Sequence, residues 1–154
     1  MNISIRNILP VAIIAVFAIH SCEENENENE TKISSYNSTE SHKAGQNCMT
    51  CHKSGGSGEG WFTVAGTVYD STKAATFPNA TVRLFTGPEG TGNLIMDIEV
   101  DGNGNFYTTE SIDFGNGLYT LVEGNLITKH MNSVISTGQC SSCHGVSTDR
   151  VWVK

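Results

Sequence analysis

Apolar residues between Trp61 and Thr128 recur in short runs separated by turn formers. WFTVAGTVY, ATVRLF, NLIMDIEV, NFYTTE and LYTLVEG are rich in Val, Ile, Thr, Tyr and Phe, with Gly, Asn, Asp or Pro between the runs. Branched and aromatic side chains suit a pleated surface, so the pattern predicts short strands of a small antiparallel β-sandwich. Alternation is clearest in VRLF, where Val82 and Leu84 are expected to face a core and Arg83 to point outward. Weaker strands are expected near Val134 and Val151. No convincing helix is legible in this stretch, so helix is limited to short turns outside it. DGNGN, from Asp101 to Asn105, resembles a calcium loop, but Phe106 stands where such a loop requires glycine. Asp-Gly between two alternating runs predicts a hairpin turn instead.

The N-terminal pattern is different. Arg6 precedes an apolar run from Ile8 to Ile19, which ends in IHSC at Cys22. A short apolar segment with a basic flank reads as an export signal, too brief to span a membrane. IHSC resembles a bacterial lipobox, with His20 an unusual occupant, so Cys22 is expected to carry lipid and to begin the mature chain. EENENENE follows, and its repelling glutamates predict a solvated tether. The same run is similar to the acidic surface-export tag of some lipoproteins. It contributes much of the formal charge of −7. No basic patch accompanies it, which argues against a nucleic-acid partner.

Four cysteines remain, in two copies of one arrangement: GQNCMTCH and GQCSSCH. Outside the cytoplasm, four cysteines suggest two disulfides, and paired CxxC motifs also suggest a zinc site. Neither explains a histidine directly after each pair. With five histidines in 154 residues, a histidine follows a given cysteine about once in thirty, so both by chance is about one in a thousand. CxxCH is the attachment signature of covalent haem, in which two thiols bind the porphyrin and the histidine ligates its iron. Cys48, Cys51, Cys140 and Cys143 are therefore expected to bind two haem c groups, with His52 and His144 as proximal ligands. His42 and His130 each precede one motif by a short loop, and they are the candidate second ligands. Met131 and Met96 compete for that role, and which distal histidine serves which iron stays open. Trp61 and Trp152 are candidates to cover a haem each.

The central stretch also carries a resemblance. VAGTVYDSTKAATFPNATVRLF with DGNGNFYTTE is similar to the carboxypeptidase-regulatory-like, or transthyretin-like, β-domain. The matching positions are Gly66 and Val68, Ala80 with Val82 and Leu84, and Asp101, Gly104 and Phe106. The resemblance implies a seven-stranded sandwich without catalytic residues.

The expected organisation is a leader over 1–21, an acidic flexible tether over 22–41 and a first haem segment over 42–60. The sandwich follows over 61–128, then a second haem segment over 129–154. The fold class is mainly β, with two haem-c attachment loops flanking the sandwich. The expected function is electron transfer by an exported, membrane-anchored di-haem c-type cytochrome at the periplasmic face or the outer surface. Its partners are other redox proteins, other cytochromes or copies of itself. A haem-based sensor, or a structural surface lipoprotein with disulfides or zinc at the CxxC pairs, is the alternative. No nucleophile–base set or phosphate loop suggests an enzyme.

Overall fold

The computed structural model describes residues 29–154. Cys22, the leader and the first part of the acidic run lie outside the described residues. Seven strands form: β1 (Val64–Thr67), β2 (Thr81–Phe85), β3 (Leu94–Glu99), β4 (Asn105–Thr108), β5 (Tyr119–Glu123), β6 (Thr128–His130) and β7 (Gly138–Gln139). They build two sheets, ordered β4-β1-β7 and β3-β2-β5-β6. Among the described residues, helix is confined to 3-10 turns at Cys48–Thr50, Pro88–Gly90 and Cys140–Ser142. The fold is mainly β, as the alternation predicts.

The five clear strands lie where the apolar runs stand. In β2, Val82 and Leu84 are fully buried, and Arg83 emerges between Asp97 of β3 and Glu123 of β5. Val64, Val68, Ile98, Val100, Phe106 and Val122 meet Val82 and Leu84 between the sheets. Gly66 lies opposite Phe106 on β4. A Cβ on Gly66 would stand 2.6 Å from the Phe106 ring and 3.0 Å from Cys140 Cβ. Its bare backbone is what allows both to close on β1.

The DGNGN stretch is a turn, but not the expected hairpin. β3 and β4 belong to different sheets, so the turn is a corner carrying the chain across the sandwich. Asp101 is fully buried there, and its Oδ1 accepts the amides of Asn103 and Asn105, each at 2.9 Å.

Residues 33 and 34, within the stretch 22–41 expected to be a flexible tether, pair with the sandwich. Ile33 bridges Thr108, Ser34 N–H donates to Tyr107 O at 3.0 Å, and Ser34 Oγ–H donates to Glu99 O at 2.6 Å. β4 is an edge strand with unpaired backbone groups, and this segment satisfies them.

The C-terminal segment is likewise woven into the sandwich. β7 runs parallel to Val64 and Ala65. Further on, Tyr69 N–H donates to Val151 O at 2.8 Å and Val153 N–H to Tyr69 O at 3.0 Å. The second CxxCH turn is thus a loop held at both ends against one strand and its extension.

Candidate functional site

Two cavities, of about 800 and 460 Å³, border the CxxCH turns. The larger is lined by His42, Cys48, Cys51 and His52, the smaller by His130, Cys140, Cys143 and His144. Each therefore gathers one CxxCH turn and one further histidine. His42 borders the same cavity as the first motif, and His130 the same cavity as the second.

In the first motif, Asn47 caps the turn by accepting Met49 N–H at 3.2 Å. The amides of Cys51 and His52 both donate to Cys48 O, at 3.1 and 3.0 Å. One tight turn thus brings the sulfurs and the ring to the same mouth. His52 Nδ1 lies 2.8 Å from Glu59 O. A carbonyl can only accept, so this nitrogen carries the proton and Nε2 keeps a free lone pair. Gly58 lets the returning loop pass over the ring, since a Cβ there would stand 2.8 Å from it. His52 stacks on Phe62 with centroids 4.2 Å apart, and Phe62 stacks on Tyr107 at 4.7 Å.

The second motif repeats the device. Cys143 and His144 amides donate to Cys140 O at 3.3 and 3.0 Å. His144 Nδ1 lies 2.7 Å from Asp149 O, which leaves its Nε2 free as well. His130 stands at the end of β6, opposite Leu121, and Met131 lines the same cavity. Trp152 also lines it, with Lys129 Nζ 3.7 Å from its ring centroid. Trp61 has no such position at the first cavity, where Phe62 takes the aromatic role. Sequence reasoning missed Phe62, because an aromatic beside a strand start carries no mark of which face it will take. Met96 packs against the core and lines neither cavity.

The cavities differ in setting. The first lies on the outer face of the three-stranded sheet, reached by Asn105 and Tyr107 on the side of β4 opposite Phe106. The second opens between the sheets, against Phe106 and Val122. The two turns nonetheless touch: Asn47 Nδ2 donates to Gln139 Oε1 at 3.3 Å, joining the residues just ahead of Cys48 and Cys140.

The donor chemistry tests what each cavity can hold. All four cysteines are free thiols. Burial pushes the Cys140 thiol up to about 12, reinforced by the nearby Cys48 and Cys143, and burial also raises Cys48. Zinc requires thiolates. Among the described residues, no three His, Cys, Asp or Glu groups converge on one point as a protein-only metal site demands. The first cavity offers two imidazoles, the number needed by an iron whose macrocycle already supplies the other donors. The second is lined by His144 with His130 and Met131, and the β6 register sets His130 beside Leu121 on the outer side of its sheet. Two imidazoles sharing one ion at about 2 Å each have centroids about 6 Å apart. The His42 and His52 rings lie 5.9 Å apart. The residues of the first cavity fit haem. No family model, curated protein or solved structure matches this chain.

Proposed function

We propose that the protein is a di-haem c-type cytochrome, an electron carrier rather than an enzyme, held to a membrane outside the cytoplasm by lipid on Cys22. The observation that carries this reading is that each cavity gathers one CxxCH turn and one further histidine. Cys48 with Cys51, and Cys140 with Cys143, would each hold one porphyrin through two thioethers, each thiol adding its sulfur and its proton across one vinyl group with no oxidant needed.

When bound, haem supplies a one-electron ferric–ferrous couple. The chain does the rest. The Glu59 and Asp149 carbonyls hold His52 and His144 with Nε2 free, and these two with His42 and His130 are the residues that would hold the groups. Such outer hydrogen bonds fix tautomer and ring orientation. Held by two histidines, such a group would leave no place for substrate, and paired imidazoles would set a lower potential than a methionine. Phe62 and Trp152 keep water from the two sites. The Asn47–Gln139 contact favours exchange between the centres within one molecule before delivery to a redox partner, another cytochrome or a second copy.

A haem stain after denaturing electrophoresis tests the reading. Coloured protein with two haems per chain is expected, falling to one when Cys140 and Cys143 are both replaced by alanine. Colourless native protein with cystines at the CxxC pairs would overturn it.

A further inference from the structure

The two outer histidines are held by different means. His130 belongs to strand β6, where the ladder opposite Leu121 and the Met131 N–H bond to Thr120 O, 2.9 Å, carry its backbone. His42 has no strand. Its segment is gripped instead by the DGNGN corner. Gly102 N–H donates to Ser38 O at 2.6 Å. Asn103 Nδ2 donates to Thr39 O at 3.1 Å and Ser41 O at 2.7 Å. Asn105 Nδ2 donates to Ser41 Oγ at 2.9 Å and to His42 O at 3.4 Å.

The other end of Asn105 matters as much. Its Oδ1 accepts Thr67 Oγ–H at 2.6 Å, and Thr67 Oγ1 accepts Gly45 N–H at 2.8 Å. One side chain thus ties both ends of the 42–45 loop to β1 and β4, and the loop leads straight into Cys48. Asn105 is only 2% exposed. A buried amide is costly unless its donors and acceptor are all used, and here they are. Asp101, itself buried, anchors the backbone of Asn103 and Asn105.

We infer that Asn105, assisted by Asn103, is a positioning residue that holds His42 over the first cavity opposite His52. This rests on the reading of His42 as an axial ligand. Neither Asn103 nor Asn105 lines the second cavity, so the larger effect is expected at the first centre.

Low-temperature electron paramagnetic resonance of the holoprotein tests this, with Asn105→Ala, Asn103→Ala and His42→Ala compared. The native protein is expected to give two low-spin signals. His42→Ala converts one to high spin. Asn105→Ala and Asn103→Ala are expected to shift or lose that same signal, move the potential of that centre more than that of the other, and leave the other signal in place. Two unchanged signals in both asparagine variants, with only a lower melting temperature, would overturn the clamp, because a merely structural role moves stability and not the spectrum. Asn103 is partly exposed, so Asn103→Ala carries the test if Asn105→Ala fails to fold. A native protein lacking low-spin signals removes the axial-ligand reading and the clamp with it. Unchanged signals in the variants remove the clamp alone.

Discussion

At the scale of single residues, chemistry is set by what surrounds a familiar side chain. Cys51 and Cys143 are exposed, whereas Cys140 packs against the core and its thiol is pushed up to about 12 from 9.0. A raised thiol value means the folded state resists losing that proton. The corresponding stability is complete below about pH 9 and declines as pH rises toward 12. Apo-protein made without haem maturation should therefore lose denaturant resistance above pH 9, and Cys140→Ala should flatten that decline. Iodoacetamide at pH 8 should label Cys51 and Cys143 well before Cys140, as peptide mapping would read. The two CxxCH motifs were legible in the sequence because their spacing is local. The Nδ1 partners were not, since a backbone carbonyl several residues on carries no signature.

At the scale of elements, β1 organises both sites. Its inner face meets the core, its outer face carries Thr67, and β7 delivers Cys140 alongside it. Gly66 is the position at which this strand has no spare room. Gly66→Ala is expected to destabilise the fold by about 1–3 kcal/mol, the usual range for overpacking. A lowered urea midpoint at unchanged slope would show it, and an unchanged midpoint would mean that Phe106 yields. The five clear strands could be read because alternation is a local property. β6 and β7 could not: they are short, and β6 is exposed throughout. An edge strand held by its backbone alone leaves no apolar period to detect. The DGNGN corner misled for a related reason, because Asp-Gly announces a turn without saying whether the next strand pairs with the last.

For the molecule as a whole, the sandwich is small and both cavities border its strands. Small cores commonly depend on covalent or metal staples. Two porphyrins attached through four thioethers would each pin one segment, 42–52 or 130–144, and lay a large apolar face against the sandwich. Holoprotein should melt well above apo-protein by calorimetry, and equal melting temperatures would show that the sheets need no such support. The residues at 32–34 and 151–153 add to the same closure by pairing with strand edges.

The sequence alone determined the β class, the positions of the main strands, the repeated CxxCH device and the presence of two spare histidines. These are statements about neighbours along the chain, where periodicity and spacing act directly. Which histidine borders the cavity of which motif, which aromatics wall each cavity and how the corner grips His42 were decided only by the tertiary structure. All of these depend on contacts between distant segments, and those exist only once two sheets have closed on a common core.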